Sequence, residues 1–464
     1  MTKVSPLEGH DIKDLVNLCE IQKDRLYFAS FKTAKQRLTT TKTHFFSSDE
    51  TYVYLNFFGD FGPICLSTLY RYCDNLKKKL NIPTLKHKVI IHYTGPNPKN
   101  RVNAAFLIGC YAIIYLKWNP NQVYREMQAN NKVPYIDYQD ASEENSKYTL
   151  SLLDCFNAVY KAHQYNFFDF DDFDMEEMEK YEKIQFGDIS WMVPNKFLAF
   201  SGPNTAEHNT CYHPPEFYLE YFLKNGVQLV VRLNQRNYDE SKFTTAGIDH
   251  VDFYFLDGTP PPNDILCNFM KICERYKGPI AVHCKAGLGR TGCLIGAYLI
   301  KHYKMSAMET IAWMRICRPG CVIGIQQDWL KDVQTVLLSV GEKFRTIKQR
   351  NTIEKHPYGI YSKKQKMMAS PEPRPITSRS RSGLKTNKEN SLLSNRAITA
   401  PPVLSNKRDQ KNFVQGNMKK PLSTLGRPNP VTLRKWKPES QADSLMLVKT
   451  NKARKFIDTL PNKI

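Results

Sequence analysis

The sequence has no CxxC pair, no cysteine beyond Cys321 and no apolar run long enough to cross a bilayer. The irregular spacing of its 12 cysteines argues against a zinc ribbon or a disulfide framework. Its longest apolar run, Ala104 to Leu116, reads as a buried helix. The N-terminus, MTKVSPLEGHDIKDL, lacks the apolar core of a signal peptide. Together these absences predict a soluble protein with no transmembrane segment, in a reducing compartment where a free thiol survives. Acidic residues are scarce toward the C-terminus, where residues 351–464 carry 24 lysines and arginines against 7 carboxylates. Of the net charge of +21, only +4 is left for the first 350 residues. Beyond about residue 345 the composition turns to Pro, Ser, Asn and Lys/Arg with few apolar residues, which predicts a disordered basic tail over 346–464. Such a tail suits an acidic partner: nucleic acid, an anionic surface or a cytoskeletal polymer. Within it, the apolar patch Leu445 to Val448 reads either as a short docking element or as inert.

The rest of the chain contains an internal repeat. LIGCYAIIYLKWNP, from Leu107, aligns without gaps on LIGAYLIKHYKMSA, from Leu294. A short apolar strand ending in histidine precedes each copy: KVIIH to His92 and PIAVH to His283. A helix start follows each, as Asn119-Pro120 in the first and the capping box Ser306-x-x-Glu309 in the second. Each unit therefore reads strand, loop, helix, helix. The predicted fold is α/β, with two tandem domains that each have a central sheet flanked by helices. These are assigned to 1–155 and 189–345, with an acidic helical linker over 156–188.

The two loops differ in chemistry. HCKAGLGRTG, from His283, has the form Cys-x5-Arg between a strand and a helix. Five intervening residues, Lys285, Ala286, Gly287, Leu288 and Gly289, let the chain curl into a cradle of backbone N–H groups, with the glycines supplying the conformations this needs. The following helix turns its positive end toward a bound dianion. The same field is expected to bring the Cys284 thiol from about 8.5 into the range of roughly 3.5–7.5. Arg290 supplies a planar fork for phosphate oxygens. The pattern points to attack on phosphorus by Cys284, with Thr291 placed to hydrogen-bond its sulfur, and requires no metal or cofactor. An acid is also needed. Asp257, 27 residues upstream in FLDGTP, is the first candidate, with Asp252 and Asp264 as competitors. Gln326 and Gln327 in GIQQDW are candidates for orienting the hydrolytic water, and His283 for holding the loop. The first loop, HYTGPNPKNR from His92, has Tyr93 in place of the cysteine, and its domain is expected to be catalytically dead.

HCKAGLGRTG, the upstream FLDGTP, the downstream RICRPG and the degenerate first repeat together resemble the cell-division-cycle-fourteen phosphatases, dual-specificity enzymes of mitotic exit, over roughly residues 1–345. The sequence departs from that family's pattern at Ile325, where a proline usually precedes the paired glutamines. The resemblance implies Cys284 as nucleophile, Arg290 as phosphate ligand and Asp257 as acid. It implies phosphorylated proteins as partners, with preference for phosphoserine followed by proline and a nearby basic residue. It also places the linker carboxylates Glu179, Glu182 and Asp188 in an acidic groove between the domains, which would attract a basic peptide. Nucleus or cytoplasm, centrosome or spindle would be the expected location. Phosphoinositides and RNA 5′-phosphates are alternative substrates of this chemistry, both disfavoured by the acidic linker. Leu288 also stands where a lysine would serve a polyanion. A binding module anchored by its tail is the non-enzymatic alternative. Ser370-Pro371 reads as a phosphorylation site and Lys388-Glu389-Asn390 as a degradation signal.

Overall fold

The repeat is visible as two sheets built around the two histidine-ended strands. A computed structural model describes Leu7 and residues 10–143, 146–204, 213–349, 352–369 and 440–458. The first sheet runs Leu15–Gln22, Leu26–Phe31, Val89–Thr94, Thr43–Ser47, antiparallel at the first pair and parallel thereafter. The second runs Asp249–Asp252, Leu229–Arg232, Ile280–Cys284, Phe197–Ser201, Ile189–Val193, and only its last pair is antiparallel. The strand bearing His283 is central and wholly buried, consistent with its unbroken apolar run.

Each repeat continues into a buried helix, Pro98–Tyr115 and Gly289–Tyr303, and then into a second helix with the expected start. The Asn119 side chain accepts from the Gln122 N–H with Pro120 at the first helical position, and Ser306 and Glu309 form the reciprocal box. The shared glycine of the repeat has a packing reason. A Cβ on Gly109 would lie 2.3 Å from the Phe156 ring, and one on Gly296 would lie 3.2 Å from Thr310. In both domains this bare position lets a crossing helix approach.

Two expected boundaries move. Residue 155 falls inside the helix Leu152–Gln164, whose Cys155, Phe156 and Val159 are fully buried. The linker therefore begins after Gln164 and holds a short α-helix, Met175–Tyr181, followed by a 3-10 turn, Ile184–Phe186. Residue 345 falls inside Ile325–Ile347, and the chain beyond it returns to the body. His356 stacks on Tyr303, Ile360 and Tyr361 are buried, and the Tyr361 hydroxyl accepts from the Trp191 N–H at 3.0 Å. HPYGIY has enough aromatic surface to pack against the wall formed by Phe167, Phe173 and Tyr303, which average tail composition concealed. A second part of the expected tail forms the helix Gln441–Asp458. Ser370-Pro371 and Lys388-Glu389-Asn390 lie outside the described residues.

The domains meet through the helix pair Leu152–Gln164 and Ala307–Cys317. Lys161 pairs with Glu309 at 2.6 Å, and Phe168 stacks on Trp313. Among the described residues no helix is long and apolar enough to cross a membrane, and no cluster of His, Cys, Asp and Glu could hold a metal.

Candidate active site

Cys284 ends the central strand and is buried, with the helix Gly289–Tyr303 starting five residues later. The loop between them is held from outside by its carbonyls. Lys285 O accepts from the Gly202 N–H at 3.0 Å. Ala286 O and Gly287 O accept from the Arg318 guanidinium at 3.0 and 2.8 Å. With these carbonyls engaged outward, the loop amides are left for an anion. Gly287 sits at φ +66°, and a Cβ there would lie 2.2 Å from Phe200 O, so this turn admits no side chain.

His283 completes the support. Its Nδ1–H donates to Cys284 O at 2.9 Å, and its Nε2 accepts from the Tyr238 hydroxyl at 2.7 Å. Burial pushes His283 down to about 3, so the ring is neutral and both nitrogens are occupied. It therefore holds the loop, as expected, and offers no free base to Cys284.

Arg290 is buried, and its Nη1 donates to Phe255 O at 3.1 Å. Its Nη2 lies 3.1 Å from Asp257 Oδ1, while its Nε has no protein partner. A buried guanidinium N–H beside unengaged loop amides is a donor set suited to phosphate. Asp257 is the only one of the three candidate acids to meet Arg290. Asp252 is bound by Arg232 at 2.8 and 2.9 Å; burial works to raise it, but these bonds and charges hold it below the usual carboxylate value. Asp264 is exposed in the first turn of Asn263–Arg275. The bond expected from Thr291 to the Cys284 sulfur is not formed, because the buried Thr291 hydroxyl has no partner.

The paired glutamines separate. Gln327 is fixed by Arg315 at 3.0 Å and by Asp140 of the first domain at 2.9 Å. Gln326 instead lies against the loop: its Nε2 donates to Thr259 O at 3.3 Å, and a Cβ on Gly289 would come within 2.7 Å of its Oε1.

The first domain's loop is chemically different. His92 is held in the same manner, by Tyr72 at 2.9 Å and Ser48 at 2.8 Å. The Tyr93 hydroxyl accepts from the Arg37 N–H at 3.3 Å. The Asp49 carboxylate accepts from Thr94 and from the Gly95 amide at 2.8 and 2.9 Å, so the protein's own anion engages this loop.

Glu179, Glu182 and Asp188 line one cavity of about 380 Å³, together with Val53, Leu55 and Arg318. They are not three equivalent free carboxylates. Arg71 grips Glu179 with bonds of 2.6 and 2.5 Å. Asp188 adopts a left-handed φ of +51° and is bound by Arg318 at 2.8 Å. Burial works to raise Asp188, but the charges of Arg318 and Lys449 hold it below the usual value. Glu182 goes the other way: burial, with Glu179 and Asp188 nearby, pushes it up to about 7. Arg318 thus ties the groove to the catalytic loop, a role invisible in RICRPG because the loop carbonyls it holds are about thirty residues away and Asp188 is 130 away.

Two related domains, the second with an intact Cys-x5-Arg cradle, define the dual-specificity phosphatase class. Residues 20–162 match the family described as "Dual specificity protein phosphatase, N-terminal half", and residues 224–335 match "Dual specificity phosphatase, catalytic domain". The chain is 48% identical over 345 residues to dual specificity protein phosphatase CDC14A of Homo sapiens, covering 74% of this chain and 58% of that one. It is 46% identical over 344 residues to CDC14B of Mus musculus (74% and 70%) and 47% identical over 325 residues to CDC14C of Homo sapiens (69% and 72%). The chain belongs to the CDC14 family of dual specificity protein phosphatases. It spans a little over half the length of the CDC14A proteins it matches.

Proposed function

We propose that this chain is a cysteine-dependent protein phosphatase acting on phosphoserine- and phosphothreonine-proline sites, and on phosphotyrosine, near basic residues, in the control of cell division. The observation that carries the reading is Arg290, buried between the loop amides and Asp257 with an N–H unengaged. In the first step the deprotonated Cys284 sulfur donates an electron pair to phosphorus as the P–O bond to the substrate breaks. Asp257 gives its proton to the departing oxygen. In the second step a water oxygen attacks the same phosphorus, the S–P bond breaks to return the sulfur's electron pair, and Asp257 takes the water's proton. Arg290 and the amides of Lys285 to Gly289 hold the phosphoryl oxygens throughout. Val53 and Leu55 beside the groove carboxylates offer an apolar surface for proline next to negative charge for a basic side chain.

A peptide panel assayed with the full chain tests the substrate class, using Cys284→Ser as control. It comprises phosphoserine-Pro peptides with basic or acidic flanks, a phosphotyrosine peptide and a soluble phosphoinositide. The basic phosphoserine-Pro peptide should have the highest kcat/KM. A preference for the phosphoinositide would keep the chemistry and overturn the substrate.

Two further results are expected. Gln326→Ala should slow the second step and make phosphoenzyme accumulate, with a burst in rapid-mixing assays, whereas Gln327→Ala should lower thermal stability more than it changes the burst. A burst in Gln327→Ala alone would reverse the assignment. Glu182 is neutral below about 7 and charged above it, so the rate ratio of basic-flanked to neutral peptides should increase as pH rises through that value. The gain expected is about fivefold, the roughly 1 kcal/mol of one solvated ion pair. Glu182→Gln should flatten the profile; a ratio that still rises in that variant would contradict the reading.

A further inference from the structure

The first domain has no cysteine on its loop, yet it reaches the turn that presents Gln326. Its short antiparallel ribbon, Tyr138–Gln139 paired with Thr149–Leu150, carries Asp140 just past the end of its first strand. The ribbon is anchored in its own domain: Tyr138 is wholly buried, and its hydroxyl donates to Val102 O at 3.2 Å. From there the buried Asp140 crosses to the catalytic domain. Its Oδ2 accepts from the Gly324 N–H at 2.8 Å and from Gln327 Nε2 at 2.9 Å, while its Oδ1 has no protein partner. Tyr148, beside the second strand, donates to Asp328 Oδ2 at 2.7 Å, so the ribbon holds the start of the helix Ile325–Ile347 at two points.

The turn that leads into this helix needs outside support. Val322 and Gly324 both take a left-handed φ of +59°, a conformation that a β-branched valine adopts only when its surroundings impose it. Two side chains bind the turn from either end. The buried Arg315 donates through Nε to Cys321 O at 3.1 Å and through Nη2 to Val322 O at 2.9 Å. Asp140 takes the Gly324 amide. Gln326 is bonded to the amide between these two holds, since its Oε1 accepts from the Ile323 N–H at 3.2 Å. Whatever fixes the turn therefore fixes Gln326 against Gly289 of the catalytic loop and against Thr259 O. We propose that Asp140 is a positioning residue for the second step: it holds the turn over 321–326 so that Gln326 meets the attacking water, and the first domain thereby completes the second domain's active site. This rests on the phosphocysteine reading and on Gln326 as the water-orienting glutamine. Asp140 acts through the Gly324 amide, so loss of the Gln327 side chain leaves its hold on the turn in place.

The test compares the full chain with Asp140→Ala, Asp140→Asn, Asp140→Glu, Gln326→Ala and the double variant Asp140→Ala/Gln326→Ala on the basic phosphoserine-Pro peptide. In Asp140→Ala, release of phosphate from Cys284 should slow by about 10²-fold, the scale of a group displaced by about 1 Å. Phosphoenzyme should then accumulate and kcat and KM should fall together, while kcat/KM, which is set before the second step, should hold. Adding Asp140→Ala to Gln326→Ala should slow the step no further, because both act through one group. Asp140→Asn should restore most of the rate, since one amide oxygen can take both bonds that Oδ2 accepts. Asp140→Glu keeps the charge but shifts the acceptor, so it should resemble Asp140→Ala, and it stands in for that variant should Asp140→Ala not fold. Amide exchange over 321–327, which needs no turnover, should rise in Asp140→Ala and Asp140→Glu but not in Asp140→Asn. Equal falls in kcat and kcat/KM, a further loss in the double variant, rescue by Glu and not by Asn, or unfolding of both Ala and Glu variants would make Asp140 a purely structural tie and overturn the proposal. Phosphoenzyme that accumulates in Gln326→Ala but not in Asp140→Ala would overturn it alone. No phosphoenzyme in any variant, Gln326→Ala included, would sink the phosphocysteine reading itself and the second-step role with it.

Discussion

Replacing Cys284 with serine should abolish turnover of phosphorylated peptides, by about 10⁴-fold or more on the scale seen when an enzyme's nucleophile is removed. A serine hydroxyl at this position would need a base in the first step, where Asp257 serves as the acid, and no other described neighbour supplies one. The adjacent His283 is neutral, its Nδ1–H committed to Cys284 O and its Nε2 to Tyr238. The loop itself should survive, because its shape is set by bonds from Arg318, Gly202 and His283 to backbone carbonyls and not by the sulfur. The variant should therefore unfold within about 1 kcal/mol of the parent and still retain phosphopeptide in a pull-down. Substantial turnover by this variant would refute the mechanism, and loss of fold would show that the sulfur has a structural role the bonding pattern does not reveal.

The second large effect is that of Asp257→Asn, and its size should depend on the leaving group. An amide has no proton to give, so the first step loses general acid catalysis, a factor of about 10²–10⁴. A tyrosine leaves as a phenolate, whose conjugate acid has a pKa near 10, whereas serine leaves as a far more basic alkoxide. The phosphoserine peptide should fall toward the upper end of that range and the phosphotyrosine peptide toward the lower. Asparagine has one acceptor oxygen where Asp257 has two, so it keeps the contact with Arg290 or the one with the Ala442 N–H but not both, and the loss of proton transfer is read from the difference between the two substrates. An equal loss on both substrates would mean that Asp257 positions Arg290 and donates no proton.

Much of the site could be read from sequence because its chemistry is local. Cys284, the two glycines and Arg290 must be near neighbours in the chain to make a cradle, and the repeat gave the strand and helix on either side. Asn119 and Ser306 were equally legible as caps, since a cap acts within four residues. What could not be read depends on distant partners. Arg318 looks like any arginine until the carbonyls of Ala286 and Gly287 are placed against it. The carboxylates expected in the groove do gather in one cavity, but spacing could not show that Arg71 and Arg318 already hold two of them. Within the tail, the patch Leu445 to Val448 could be read only as docking or inert, for the same reason. Too few apolar residues to form its own core says nothing of a helix that buries Leu445 and Met446 against the folded body.

The central claim is that phosphate passes through Cys284, and rapid acid quench of the full chain during turnover of a phosphoserine-Pro peptide tests it most directly. Mass spectrometry of the quenched protein should find phosphate on the peptide containing Cys284, in greater amount for Gln326→Ala and absent for Cys284→Ser. Steady turnover with no phosphate on Cys284 in the parent or the Gln326→Ala chain would contradict the account.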